Sequence, residues 1–262
     1  NCYGFLNYLD GVALWPDQHG GLPTDSGVAI IAQSSNIAIN LTMQARGLPL
    51  AYVVTVGNQA QTGLSEIGKT LLANPKVTAL GLYIEGIDDL GALVDLAKVA
   101  RDLGKPIIAL KTGQSEQAQQ AAISHTASLA GSDAGAQAIL ARLGISRVLS
   151  LPAFLETLKL LHVYGRLEGP RLASISCSGG EASLIADMAL GTPLTFPPLT
   201  EGAKDALRAA LGPMVALSNP LDYNTYVWRN TDAMTQAWSG MTGDGFDMTV
   251  SVVDYPVTDA SD

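Results

Sequence analysis

From Val28 onward the chain alternates short unbroken apolar runs with longer stretches in which apolar residues recur every three to four positions. The first kind marks strands covered on both faces, and the second marks helices with one buried stripe. Val28–Ala32 is the first run. Ser34 and Ser35 follow as cap candidates, and Ile37, Leu41 and Ala45 mark a helix face stopped by Gly47 and Pro49. Ala51–Val56 predicts a second strand, and a Gly/Asn/Gln loop then leads to a helix through Lys69 and Leu72 that ends near Asn74-Pro75. Thr78–Ile84 predicts a third strand, after which Asp88 and Asp89 cap a helix whose stripe is Leu93, Leu96, Val99 and Leu103. Ile107–Leu110 and Arg147–Leu149 are the fourth and fifth strands, separated by a long loop and a helix that begins near Ser132-Asp133. Pro152 opens a last helix to about Tyr164, and residues 1 to 26, rich in Gly, Pro, Asp and Asn, read as an irregular lead-in.

This βα alternation predicts an α/β doubly wound parallel sheet of flavodoxin-like or Rossmann-like order. Gly165–Pro170 reads as a hinge, so a first domain of residues 1–166 is expected, followed by a second, incomplete one of residues 167–262. In the second, Leu172–Ser176 predicts a strand, Ser178-Gly179-Gly180 a turn, Glu181–Leu190 a helix, and 201–210 and 231–240 further helices. Asn219-Pro220-Leu221-Asp222 reads as a turn. The chain opens on Asn1 rather than Met and ends just after a strand-like run, Met248–Val253, which reads as a piece of a longer polypeptide.

Composition fits that class: of 262 residues 47% are hydrophobic and only 6% aromatic, as suits helices packed closely on strands. The net charge of −9, with 24 acidic against 15 basic residues and no basic stripe, argues against nucleic acid as a partner. No apolar run approaches the roughly 20 residues of a membrane span, and the first residues lack the basic start and apolar core of a signal peptide. The two cysteines, Cys2 and Cys177, make no disulfide framework and no C-x-x-C pair, so a reducing cytoplasm is expected.

Open parallel sheets collect ligands at the carboxyl ends of their strands. Gln33-Ser34-Ser35-Asn36 opens a helix directly after the first strand, and its amide donors and positive dipole end suit an anion, although serines there also serve as plain caps. Glu85 ends the third strand, and the neighbouring aspartates leave it spare as a cap. Lys111 ends the fourth strand, either as a solvated charge or as part of the site. His125 lies in the following loop among small residues, with no second histidine, cysteine or carboxylate pair nearby, so no metal site is expected. A neutral imidazole is a nucleophile toward phosphoryl groups, a carboxylate fixes its tautomer, and a helix N-terminus holds phosphoryl oxygens. Together these suit a phosphohistidine intermediate. Ser178-Gly179-Gly180 is a weaker second element of the same kind, and Cys177 reads as a small buried residue rather than a nucleophile. A flavin site would need stacking aromatics in the edge loops 57–63 and 111–131, which contain none.

Ser124-His125-Thr126-Ala127-Ser128-Leu129-Ala130-Gly131 resembles the phosphohistidine loop of NDP-forming acyl-CoA synthetases, relatives of succinyl-CoA synthetase. Tyr83-Ile84-Glu85 resembles the strand end carrying the glutamate that contacts that histidine, and Gln33-Ser34-Ser35 the first phosphate-binding helix start. Ser178-Gly179-Gly180 resembles the second, followed by Asn219-Pro220-Leu221-Asp222. The resemblance implies two flavodoxin-like ligase domains in which His125 and Glu85 are catalytic and Ser34, Ser35, Ser178, Gly179 and Gly180 bind phosphate. It implies a reaction in which acid, CoA and nucleoside triphosphate give acyl-CoA, nucleoside diphosphate and phosphate through an acyl phosphate and a phosphohistidine. CoA, nucleotide and Mg2+ are then expected on a CoA-binding and an ATP-grasp domain outside this stretch, in the same polypeptide or a partner subunit, in an oligomer. Ser124 stands where the family often has Gly, and Glu181 where a small residue is expected. A carboxylate at a helix start repels a phosphoryl group. The alternative is therefore a non-catalytic ligase-like module that binds CoA esters or a partner protein.

Overall fold

The computed structural model describes residues 2–87, 89–118, 132–243 and 245–253. The expected histidine loop, His125 included, lies outside them, as does Asp88. Two compact units divide the chain, Asn1–Arg166 and Leu167–Asp262.

The strands of the first unit are β1 (Gly4–Asn7), β2 (Val12–Leu14), β3 (Gly27–Ala32), β4 (Leu50–Thr55), β5 (Val77–Ile84), β6 (Ile107–Lys111) and β7 (Ser146–Val148). They form one sheet in the order β2-β1-β4-β3-β5-β6-β7. The five strands from β3 to β7 are parallel, and by chain order among themselves they run 2-1-3-4-5, the flavodoxin arrangement. β3 is buried along its whole length because it is central and covered on both faces. Its alternate side chains feed two cores. Ala29 and Ile31 meet Leu72, Leu93, Leu96 and Leu140 on one face, while Val28 and Ile30 meet Leu41, Phe154 and Leu158 on the other.

The helices on these faces are α1 (Ser35–Thr42), α2 (Leu64–Ala73), α3 (Leu90–Asp102), α4 (Asp133–Leu143) and α5 (Leu151–Val163). Gly81 of β5 shows how closely they approach: a Cβ there would lie 2.6 Å from Phe154 Cζ and 2.8 Å from Leu158 Cδ1 of α5.

In the first unit three expectations need correction. Residues 1 to 26 are not merely irregular, because β1 and β2 form a hairpin that extends the sheet antiparallel to β4. Their runs of four and three residues are too short to show a period. α1 ends at Thr42 and buries Ala38 and Leu41, so Ala45 is beyond the helix and exposed. α3 buries Leu93, Leu96, Ala97 and Ala100, whereas Leu103 is largely exposed, since the stripe turns onto two small alanines that let the helix sit close.

The second unit has its own all-parallel sheet, with β8 (Leu172–Ser176) between β9 (Leu221–Asp222) and β10 (Met248–Ser251). By chain order its strands run 2-1-3, as do β4, β3 and β5 in the first unit. Its helices are α6 (Gly179–Met188), α7 (Glu201–Leu211) and α8 (Thr231–Met241), and its core gathers Ile175, Leu207, Leu221, Ala237 and Met241. The Asn219–Asp222 turn is in fact the entry to β9. Asn219 Oδ1 accepts from the Ser174 N–H (3.1 Å), and its Nδ2 donates to the carbonyls of Leu172 (2.8 Å) and Pro197 (3.0 Å). An amide side chain thus stands in for a strand residue beside β8, a substitution that periodicity cannot reveal. Gly179 and Gly180 are the first turn of α6 rather than a turn before it.

Candidate functional site

In this strand order the crevice for ligands opens between β3 and β5, where successive connections leave the sheet on opposite faces. Ser34 follows β3 and Glu85 follows β5, so the predicted helix start and carboxylate flank that crevice. Gln33 binds the two sides together. Its Oε1 accepts from the N–H groups of Glu85 and Gly86 (2.9 Å for the latter), its Nε2 donates to the Gly86 carbonyl at 2.9 Å, and its own N–H donates to the Tyr83 carbonyl at 3.1 Å. Only one orientation of the amide serves two N–H donors and a carbonyl. At 3% exposure Gln33 is an internal staple that fixes Glu85 relative to the start of α1.

Ser34 is the N-cap of α1, its Oγ accepting weakly from the Ile37 N–H at 3.4 Å. Ser35 is the buried first residue of the helix. The cap satisfies one of the orphan donors of the first turn, which carries no acidic side chain of its own. Glu85 is half-buried. Next to it, burial raises the Tyr83 hydroxyl pKa against the opposing effect of its bond to Thr112, and the Glu85 charge raises it further.

Lys111 pairs in register with Ile84 and is 3% exposed, so it is no solvated charge. Its Nζ donates to the Thr112 carbonyl. Burial lowers its pKa, and Arg147 lowers it too, while Asp133 and Glu85 pull the other way. Arg147 on β7 has a side chain only 4% exposed and bonds to Asp133 Oδ1 at 2.5 Å. That bond holds the Asp133 carboxyl below the usual carboxylate range. Two buried cations and two carboxylates therefore gather at the carboxyl edge of β5, β6 and β7; in sequence, Glu85 and Lys111 precede His125 and Asp133 and Arg147 follow it. Sequence reasoning missed Gln33 as a staple and placed Arg147 only as a strand residue. No spacing signal announces either, because their partners lie 52 and 14 residues away.

The predicted second helix start is built differently. Ser178 caps α6, its Oγ accepting from the Glu181 N–H at 3.3 Å, and Gly179 and Gly180 are exposed. The Glu181 side chain folds back so that its Oε2 accepts from the Cys177 N–H at 3.2 Å, and its buried Oε1 has no partner. This is a variant of the capping box, in which a carboxylate of the chain itself sits at the positive end of the helix. Asp222 adds a second negative charge, its Oδ2 lying 3.5 Å from where a Cβ on Gly179 would be. Among the described residues no group of His, Cys, Asp and Glu able to hold a metal ion occurs, and no helix is long and apolar enough to cross a membrane.

Residues 25–161, more than half of the chain, match the model of the succinyl-CoA ligase-like flavodoxin domain. An ADP-forming acetate–CoA ligase II subunit alpha of Pyrococcus furiosus is 33% identical over 85% of this chain and 48% of its own length. A Methanocaldococcus jannaschii ADP-forming acetate–CoA ligase is 31% identical over 85% of this chain and 31% of itself. A trans-feruloyl-CoA synthase from an unknown prokaryotic organism is 30% identical over 85% of this chain and 32% of itself. Among solved structures, the dinucleotide-forming acetyl-coenzyme A synthetase 1 of Ca. Korarchaeum cryptofilum, in complex with phosphate and ADP, superposes with a TM-score of 0.75. Its identity is 25%, over 86% of this chain and 49% of that one. The chain thus spans about a third to a half of the relatives it matches. It belongs to the succinyl-CoA ligase-like flavodoxin domain family and is an NDP-forming acyl-CoA synthetase-like chain.

Proposed function

We propose that this chain is the phosphotransfer core of an NDP-forming acyl-CoA synthetase, an acid–thiol ligase. The observation that carries the reading is the Gln33 staple, which keeps an uncapped-by-acid helix start and the Glu85 carboxylate on opposite sides of one crevice. In the direction of synthesis His125 attacks the terminal phosphoryl group of a nucleoside triphosphate and releases the diphosphate. Glu85 fixes the imidazole tautomer and balances the charge it gains. The phosphoryl group passes to a carboxylate oxygen of the acid, restoring neutral His125 and giving an acyl phosphate. CoA thiolate then attacks the acyl carbon and phosphate leaves. Ser34 and Ser35, and in the second unit Ser178, Gly179 and Gly180, supply the helix-start amides for the phosphoryl oxygens.

CoA, nucleotide and Mg2+ belong to domains beyond these residues. The chain's partial span of its relatives supports this, as does the naming of two of them as alpha subunits. A CoA-binding domain and an ATP-grasp domain, fused or on a partner subunit, are the partners in this reading, a small carboxylic acid is the substrate, and the compartment is the cytoplasm. The Glu181 carboxylate at the start of α6 favours one second reading, a non-catalytic module that binds CoA esters or a partner protein.

The two readings separate in the intact protein supplied with a small carboxylic acid, CoA and nucleoside triphosphate. A ligase forms thioester and nucleoside diphosphate in equal amounts. His125→Ala is expected to abolish both, and Glu85→Gln to slow both by about 10²-fold. A binding module forms neither, and thioester formation by His125→Ala at the unmodified rate would overturn the proposal.

A further inference from the structure

Arg147 touches both ends of the 112–132 connection. Its Nη2 donates to the Lys111 carbonyl at 3.2 Å, at the end of β6, and to Asp133 Oδ1 at 2.5 Å, in the first turn of α4. Its Nη1 reaches Gln137 Oε1 at 3.3 Å, and its buried Nε has no partner. Lys111 lies one residue past the last β6–β7 pair, so the guanidinium supplies a donor just where the ladder stops. Asp133 sits in the first turn of α4, where a carboxylate already favours the positive helix end, and Arg147 adds the second hold.

The pair is buried on one side only, with the Arg147 side chain 4% and the Asp133 side chain 34% exposed, and taking the guanidinium out of water offsets part of the attraction. A planar guanidinium that serves two acceptors from Nη2 and a third from Nη1 is, however, a good device for fixing geometry. We infer that Arg147 is a positioning residue for the phosphotransfer: its guanidinium fastens the last residue of β6 to the first turn of α4 and so fixes the two roots of the connection that carries His125. The inference rests on the reading that His125 is the phosphoryl carrier. Arg147 need not touch substrate. Lysine in its place would offer one freely rotating nitrogen where Arg147 sets two in a fixed plane.

Two measurements on the intact protein test this separately from that reading. The first is hydrogen exchange of the amides at 112–118, for the unmodified protein and for Arg147→Gln, Asp133→Asn, the double variant and Arg46→Gln. Arg46 pairs with Glu156 at the surface, far in sequence from the connection, and serves as the control. Exchange about tenfold faster in either clasp variant, no faster still in the double variant, and unchanged in Arg46→Gln supports the inference. Unchanged exchange in Arg147→Gln overturns it. The second is the rate of His125 labelling by labelled nucleoside triphosphate, well below the unfolding temperature. A fall of about tenfold in the maximal rate at unchanged KM, only partly restored by Arg147→Lys, supports a positioning role. Labelling of all the variants at the unmodified rate overturns it. If the unmodified protein itself takes no label, the phosphohistidine reading fails, while the exchange result still decides whether the clasp exists.

Discussion

A single carboxylate separates the two predicted helix starts. In the first unit no carboxylate occupies the first turn of α1; in the second, Glu181 fills that place at α6. Replacing Glu181 by Gly is therefore expected to strengthen binding of inorganic phosphate to the second unit by about tenfold or more, as removal of a like charge at a helix end allows. Calorimetric titration checks this, and unchanged affinity would show that the carboxylate does not compete for the helix end. Gln33 carries the opposite kind of weight. Gln33→Leu leaves the Glu85 and Gly86 N–H groups and the Gly86 carbonyl without their partner, and is expected to destabilise the first unit by about 2–4 kcal/mol in urea unfolding. At this scale the sequence announced residue types well, since Ser34, Glu85 and Ser178 all sit at strand ends or helix caps. It could not announce pairings. Lys111 read equally well as a solvated charge, and only the packing of β5, β6 and β7 shows that it is buried.

Elements were legible where period and length agreed. The continuous apolar runs of β3 and β6 and the stripe of α3 predicted both type and place within a residue or two. Elements held by something other than hydrophobic periodicity were hidden. β1 and β2 are too short, and β9 is only two residues long and relies on Asn219 beside it. Asn219→Ala, which strips the Ser174 N–H and two carbonyls of partners, is expected to cost about 2–4 kcal/mol and to loosen β9 from β8. Hydrogen exchange at 172–176 and 221–223 reads the effect, and protection equal to the unmodified protein would rule out the stand-in role.

For the molecule as a whole, acid is the condition most telling of its charge pairing. Asp133 is held below the usual carboxylate range by Arg147, Glu156 by Lys159 and then Arg46, and Asp247 by Arg171. Groups with lowered folded pKa values stabilise fully above the ordinary carboxylate pKa, and that contribution is lost as pH falls through the folded values. His162 acts in the same direction at higher pH. Burial lowers its pKa, so protonation below about 6.5 favours the unfolded chain. Thermal midpoints are thus expected to fall in two steps on acidification, the upper one flattened by His162→Gln and the lower one left in place. A single step insensitive to that substitution would contradict the assignment.

The doubly wound architecture followed from alternation, whereas the choice between flavodoxin-like and Rossmann-like strand order came only with the structure, and the proposed chemistry rests on one imidazole. The most direct measurement is phosphate transfer itself. The intact protein is incubated with labelled nucleoside triphosphate and digested, and the label is mapped. The account predicts an acid-labile, base-stable phosphoryl group on the peptide containing His125, discharged by added carboxylic acid and CoA. Label on any other residue, or equal label on His125→Ala, would contradict it.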